Sequence, residues 1–183
     1  MSKIRCVAFV GQLNELLAFY TFGLNDEKGK DSTTSVSFLA GKKEPTGTDE
    51  QFIMYAALDM IDEKIRQALE TRKSMAREPT IPNFLGFLGN IGDYQLQGYM
   101  TKTKTKIIVG QEVSLLPQPQ IQETLKKLHA AYVSWISNPF AAIPTNGTRE
   151  HSKHSETLLK IATSKSFRDA VARIVDAHNE SSR

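Results

Sequence analysis

Residues 84–110 read FLGFLGNIGDYQLQGYMTKTKTKIIVG, and they predict more than half of a β-sheet. Its apolar and aromatic residues fall into three short runs separated by glycine or polar residues, which is typical of consecutive strands. Residues 107–109 (IIV) are apolar on both faces and therefore predict an inner strand. The predicted strands cover 83–90, 93–101 and 104–112, and a hairpin turn at 102–104 joins the second to the third.

Two further β-rich runs lie near the N-terminus, at 4–10 (IRCVAFV) and 15–22 (ELLAFYTF). The four residues between them, 11–14, predict a hairpin with a short turn. Residues 23–48 are rich in Gly, Ser, Thr, Lys and Pro. That composition predicts a surface loop that is longer than the loops of compact domains usually are.

A helix is predicted from Thr48 to about Arg72, because Thr48 and Gln51 have the spacing of a capping box. Apolar residues recur along it at spacings of three and four, which indicates one buried stripe. We assign Phe52, Tyr55 and Ala56 to the same buried face. The stripe consists of Leu58, Ile61, Ile65 and Leu69, and the residues that lie mostly off it are Asp59, Asp62, Glu63 and Arg66.

A second helix follows Pro117 and Pro119 and ends at Asn138-Pro139, because the residue before a proline leaves helical geometry. Its apolar face is predicted to contain Ile121, Leu125, Leu128 and Tyr132, with either Trp135 or Ile136. A long loop is predicted at 141–163. One or two closing helices are indicated by two apolar groups, Leu158, Leu159 and Ile161, then Phe167, Ala170, Val171 and Ile174.

The element order β-β-α-β-β-β-α-α predicts an α/β (α+β) fold with a five-stranded, mainly antiparallel sheet between helices. A length of 183 residues predicts a single domain over 1–183. With 40% apolar and 23% charged residues, the composition excludes a disordered chain, a collagen and a coiled coil. The single cysteine, Cys6, excludes a disulfide framework within the chain.

No targeting segment is predicted. The apolar run from Ile4 to Val10 is short and contains Arg5, unlike the apolar region of a signal peptide. No stretch approaches the length of about 18 apolar residues that a membrane span needs. We therefore expect a soluble protein of a reducing compartment.

The charge pattern points away from nucleic acid. A net charge of +3 over 183 residues is no nucleic-acid signature, and no aromatic platform accompanies the lysines. Lys102, Lys104 and Lys106 alternate with threonines, so a regular strand would present all three on one side. Such lysines usually keep a sheet edge soluble, and a weak contact with a membrane surface of anionic lipid is the second interpretation.

The sequence contains no convincing catalytic or cofactor motif. Cys6 lies in an apolar strand and is predicted to be a small buried side chain. His129 lies beside the apolar face of the second helix and is predicted to be a packed or an edge histidine. His151 and His154 are close enough for a metal, but no further cluster completes a site. No phosphate-binding glycine pattern is present, so we expect no catalytic residue, no cofactor and no metal.

Three segments resemble a known family. They are 51–65 (QFIMYAALDMIDEKI), 84–110, and 127–140 (KLHAAYVSWISNPF), and together they cover about a third of the chain. Each is similar to the corresponding segment of the sedlin family of the transport protein particle, TRAPP. Unlike the usual family pattern, residues 141–163 intervene between the third segment and the later Ser166-Phe167 block.

The resemblance implies a longin-type (SNARE-like) fold and a non-catalytic subunit of a Rab exchange and vesicle-tethering complex. Such subunits join small core subunits to a large peripheral subunit in ER-to-Golgi and intra-Golgi transport, and they meet the Rab GTPase only through the complex. The resemblance places partner binding at Leu58-Asp59, so the acidic side of the first helix, with Asp62, is one candidate surface. The segment Asn138-Pro139-Phe140 is a second candidate, although helix termination alone also explains it.

Two other classes remain open from the sequence. A different longin module, such as a small subunit of a coat adaptor or a SNARE regulatory domain, would bind partner proteins on the same fold. An enzyme on a similar scaffold would need a nucleophile and a base in a deep pocket, and no such pair is visible in the sequence.

Overall fold

The computed structural model describes residues 3–22, 47–73, 82–113, 120–138, 161 and 164–181. It contains eight elements in the order β-β-α-β-β-β-α-α, as predicted. They are β1 (Ile4–Val10), β2 (Leu16–Thr21), α1 (Gly47–Lys73), β3 (Phe84–Ile91), β4 (Tyr94–Met100), β5 (Lys106–Glu112), α2 (Gln120–Ile136) and α3 (Lys165–Ser181). The predicted loops at 23–48 and 141–163 lie outside the described residues, apart from Gly47 and Thr48 in α1 and the helical Ile161.

The five strands form one sheet in the order β2-β1-β5-β4-β3, and every neighbouring pair is antiparallel. The N-terminal hairpin supplies β2 and β1, and the three-stranded meander supplies β3, β4 and β5. The two units join where β1 pairs with β5, from Ile4 opposite Gln111 to Val10 opposite Lys106. Strand β5 is therefore the central strand of the five, which confirms the inner strand that the apolar run at 107–109 predicted.

Helix α1 covers one face of the sheet. Its buried residues pack against one set of strand residues, among them Cys6, Ala8 and Leu96. Gly89 of β3 lies directly below α1, because a Cβ at this position would come within 2.8 Å of Met60 Sδ. The Lys64 ammonium also donates a hydrogen bond to the Leu85 carbonyl at 3.4 Å.

Helices α2 and α3 cover the opposite face. Phe9 of β1 is central there, since its ring lies 5.9 Å from that of Tyr132 and 5.1 Å from that of Phe167. The predicted apolar face of α2 is confirmed, with Ile121, Leu125, Leu128 and Tyr132 all buried. Trp135 completes that face and donates its Nε1–H to Ser164 Oγ at 3.0 Å, whereas Ile136 is exposed. In α3 the buried residues include Phe167 and Val171, as predicted, whereas Ala170 and Ile174 are half-buried.

The predicted buried face of α1 is wrong at its N-terminal end. Phe52 and Tyr55 are 66% and 62% exposed. Ile53 and Met54 pack against the sheet in their place, together with Ala57. Successive helical residues are rotated by about 100°, so the face through Ile53 and Ala57 leads on to Leu58 and Ile61 and turns Phe52 and Tyr55 away. Farther along, Ile65 packs against the core, and Ala56 and Leu69 are half-buried.

The lysine hairpin also differs from its prediction. Strand β4 ends at Met100 and β5 begins at Lys106, so 101–105 forms a turn in which the strand alternation is interrupted. Lys104 has a positive φ of 62°. As a result Lys102 and Lys104 are exposed, whereas Lys106 is only 5% exposed. The three ammonium groups therefore do not lie together on one side.

A buried histidine joins α2 to α3. The side chain of His178 lies inside the helix pair, with Nδ1 2.8 Å from Thr124 Oγ1. Among the described atoms, Nε2 is buried and has no hydrogen-bond partner. Burial lowers the pKa of His178 below its ordinary value of 6.5, and the positive charge of Lys127 lowers it further.

We expect the free energy of unfolding to fall when the pH drops below about 6.5. The unfolded chain then binds a proton at His178 that the folded chain resists, and the loss continues until the pH passes the lowered pKa of the folded state. Urea unfolding at a series of pH values, with wild type and His178→Asn, measures this effect. His129 also has a pKa lowered by burial, so the variant should retain only part of the acid sensitivity. Equal acid sensitivity in both proteins would contradict this assignment.

Candidate partner-binding surface on the first helix

The residue pair Leu58-Asp59, predicted to bind a partner, points in two directions. Leu58 is 5% exposed and belongs to the core beneath α1. Asp59, its neighbour, is exposed, and so is Asp62. The two carboxylates are therefore accessible from solvent, whereas the Leu58 side chain packs α1 onto the sheet.

Four exposed side chains form a continuous surface on α1. Phe52, Tyr55, Asp59 and Asp62 follow one another at spacings of three, four and three, which places them on one side of a helix. We call this set the α1 outer face. Two aromatic rings at its N-terminal end thus continue into two carboxylates toward the middle of the helix.

The charges beside the α1 outer face are paired among themselves. Arg66 binds Glu63, and it also lies 3.6 Å from the Glu70 carboxylate. The hydrogen bonds from Arg66 and then from Gln67 lower the pKa of Glu63. Asp59 and Asp62 form no ion pair with any other residue of the described part of the chain. Among the α1 side chains that the structure describes, none therefore compensates their negative charge.

Sequence reasoning missed the aromatic half of this surface. The first helix has apolar or aromatic residues at every position from 52 to 58, so its N-terminal half offers two overlapping apolar stripes. A buried stripe through Ile53, Ala57 and Ile61 leaves Phe52 and Tyr55 as a second, exposed stripe. The helix has more apolar residues here than a single contact with the sheet can bury, and that excess indicates an exposed apolar surface.

The second predicted surface lies elsewhere. Asn138 is exposed just beyond α2, and its backbone N–H donates to the Trp135 carbonyl at 3.2 Å. Pro139 and Phe140 lie outside the described residues. Because α1 and α2 cover opposite faces of the sheet, the structure does not bring Asn138 together with Asp59 and Asp62.

The groups considered for chemistry pack as the sequence predicted. Cys6 is buried against Gly110. The half-buried His129 ring lies tilted against that of Tyr99, with Nδ1 3.3 Å from the Tyr99 hydroxyl, and burial lowers the pKa of His129. His151 and His154 lie outside the described residues. Within the described ranges, no group of three His, Cys, Asp or Glu residues is placed to hold a metal ion.

No helix in the described part of the chain has the length and apolar character that crossing a membrane requires.

A comparison with protein families finds a match that covers most of the chain. The model of the family described as Sedlin matches residues 25–177 of the 183. The chain belongs to the sedlin family. This confirms the resemblance seen in the three sequence segments, and all of α1, β3, β4, β5 and α2 lies within the matched range.

Individual relatives of this sedlin-family chain share one name, trafficking protein particle complex subunit 2-like protein. The relative from Taeniopygia guttata is 30% identical over 122 residues, which is 63% of this chain and 80% of the relative. The relative from Mus musculus is 29% identical over the same shares of the two chains. The relative from Dictyostelium discoideum is 29% identical over 146 residues, 76% of this chain and 84% of its own.

The orientation of α1 gives a direct stability test. Phe52→Ser and Tyr55→Ser should each change the free energy of unfolding by less than about 0.5 kcal/mol, because both side chains are already in water. Ile53→Ala should cost about 2–5 kcal/mol, because it leaves a cavity under α1. Urea unfolding followed by circular dichroism measures all three. If the Phe52 variant were as unstable as the Ile53 variant, the exposed position of Phe52 would be contradicted.

Proposed function

We propose that this sedlin-family chain is a non-catalytic adaptor subunit of a TRAPP vesicle-tethering complex. The relatives named as subunits of a trafficking protein particle complex support this proposal. In this role the chain joins small core subunits to a large peripheral subunit, while nucleotide exchange on the Rab GTPase belongs to other subunits. It uses no cofactor and acts in the cytoplasm, at the surface of Golgi and ER-Golgi membranes. Residues 1–183 serve as one domain.

The α1 outer face is the observation that carries the proposal. Phe52 and Tyr55 are large apolar side chains left in water, and interfaces use aromatic anchors of this kind for most of their binding energy. Asp59 and Asp62 add uncompensated negative charge beside them. The proposed partner surface therefore combines an apolar pocket with neighbouring Lys or Arg side chains.

In this proposal Leu58 does not contact the partner and affects docking only by orienting α1. Its side chain packs under α1, one residue before Asp59, so it fixes the rotation of the helix at the point where the carboxylate leaves it. Replacing Leu58 would disturb the core first and the α1 outer face as a consequence. Asp59 is the residue whose replacement changes docking while the fold remains intact.

The end of α2 is proposed as a second docking surface, formed by Asn138, Pro139 and Phe140. Asn138 lies on the opposite side of the sheet from α1. Two docking surfaces on opposite sides allow one small subunit to hold two neighbours at once, as an adaptor does.

The α1 outer face can be tested by a quantitative pull-down from cell extract with the tagged full-length chain. Phe52→Ser combined with Asp59→Asn should reduce recovery of other TRAPP subunits by about 30-fold or more, since an aromatic anchor is worth about 2 kcal/mol or more. The matched control is Glu123→Gln, which removes one exposed carboxylate from α2 on the other face.

Circular dichroism should show that the Phe52/Asp59 variant is folded. Recovery that is unchanged in this variant, or reduced equally by the Glu123 control, would contradict the role of the α1 outer face. If the wild-type chain recovers coat-adaptor or SNARE proteins and no TRAPP subunit, the alternative longin module replaces the adaptor proposal.

A further inference from the structure

Two turns lie side by side at one end of the sheet. They are the β1–β2 turn (11–15) and the β4–β5 turn (101–105). Lys106, the first residue of β5, donates a hydrogen bond from Nζ to Asn14 Oδ1, although the two residues are 92 positions apart in the sequence. Strands β1 and β5 are direct neighbours, and Val10 lies opposite Lys106. We call these two turns together the two-turn tip.

The β1–β2 turn holds a leucine out in solvent. The Gly11 N–H donates to the Glu15 carbonyl at 2.8 Å, and the Leu13 N–H donates to Glu15 Oε2 at 2.7 Å. Asn14 has a positive φ of 62°, which asparagine tolerates better than most residues. The backbone is therefore fixed, yet the Leu13 side chain is 76% exposed, the highest fraction among the exposed large hydrophobic residues that the structure describes.

The β4–β5 turn is stabilised by its own threonines. The Thr101 N–H donates to the Thr105 carbonyl at 2.8 Å, and the Thr105 N–H donates to Thr101 Oγ1 at 2.9 Å. A further contact of 2.9 Å joins the hydroxyls of Thr101 and Thr103. These bonds use the threonine side chains for the turn itself and leave Lys102 and Lys104 directed into solvent.

The charges of the two-turn tip are predominantly positive. Lys102 and Lys104 form no ion pair with any residue whose side chain the structure describes. Lys106 is buried and donates to Asn14, so its ammonium joins the two turns together. The carboxylate of Glu15 already accepts the Leu13 N–H. One turn of the tip thus carries an exposed apolar side chain, and the neighbouring turn carries two exposed cations.

We propose that the two-turn tip contacts the surface of an anionic lipid bilayer. Leu13 enters the boundary between headgroups and acyl chains, and Lys102 and Lys104 lie among the negatively charged headgroups. A free phosphate or a soluble headgroup would satisfy the lysines but would leave Leu13 in water. The bilayer alone offers an apolar phase directly beneath a layer of negative charge, so the leucine decides between the two sources.

This inference does not rest on the proposed assembly role. The two-turn tip lies at the end of the strands, whereas the α1 outer face lies above one face of the sheet. A membrane contact at the tip therefore leaves Phe52, Tyr55, Asp59 and Asp62 accessible to a protein partner.

The test is vesicle flotation with the purified full-length chain. Vesicles of phosphatidylcholine alone are compared with vesicles of phosphatidylcholine and phosphatidylserine, at low and at physiological salt. We expect binding to the phosphatidylserine vesicles only, and weaker binding at the higher salt concentration. Lys102→Ala with Lys104→Ala should lower that binding by about fivefold for each lysine removed. Leu13→Ser should lower it by about tenfold without changing the charge.

The matched control is Lys126→Ala with Lys127→Ala, which removes the same charge from exposed positions of α2. All four lysines and Leu13 are exposed, so each variant should retain the wild-type circular dichroism and melting curve. A loss of binding in the α2 control equal to that of the tip variant would show a general charge effect and overturn the proposal.

Two further results would also overturn it. Binding that survives Leu13→Ser unchanged, and that soluble glycerophosphoserine displaces at an equal headgroup concentration, would make the site a headgroup site without membrane contact. Absence of binding to the phosphatidylserine vesicles at low salt would remove the lipid partner altogether, and an acidic protein segment would then be the remaining partner for the lysines.

Discussion

The pairing of β1 with β5 holds the five strands together in one sheet, on which α1, α2 and α3 pack. It joins the N-terminal hairpin, which ends at Thr21, to the meander, which begins at Phe84, and without it the chain would form two small sheets. Both faces of the joined strands are buried, Val7 and Phe9 under α2 and α3, Ala8 and Val10 under α1. The helices on the two faces therefore stabilise this junction from both sides. Because the β1–β5 pairing makes one sheet with helices on both faces, the surfaces of α1 and of α2 point in opposite directions.

The strands could be predicted because their signals are local. Three apolar runs with polar breaks predict the meander, and the run at 107–109 predicts that its last strand is an inner one. The rotation of α1 could not be predicted in the same way, because its N-terminal half carries two apolar stripes. The choice depends on contacts distant in sequence, such as Met60 over Gly89 and Lys64 on the Leu85 carbonyl. These contacts bury Ile53 and expose Phe52, and no periodicity within the helix contains that information.

The conformation of the two-turn tip could not be predicted from local sequence either. Alternating lysines predict three cations in a row only if the backbone continues as a strand through 101–105. Instead Lys104 adopts a positive φ, and Lys106 is withdrawn toward Asn14, a residue 92 positions away. The sequence contains the composition of the tip, whereas the neighbouring hairpin determines which lysines reach solvent. The exposure of Leu13 likewise follows from how Glu15 holds the turn, since a leucine beside a strand would ordinarily be expected to pack.

In the proposed adaptor role, function depends on the separation and orientation of the docking surfaces. The proposed surfaces are attached to the sheet by polar contacts as well as by the core. Asn179 of α3 accepts the Ile4 N–H at 2.8 Å and donates to the Ile4 carbonyl at 3.3 Å, which fixes the end of α3 to the start of β1. At the other end of the same strand, the Lys106–Asn14 bond fixes the two turns. Polar contacts therefore hold β1 at its first residue and hold the turn that follows its last residue, while α1 packs on one face of the same strand and α2 and α3 pack on the other. In the proposed adaptor role, this shared strand sets the separation between two docked partners.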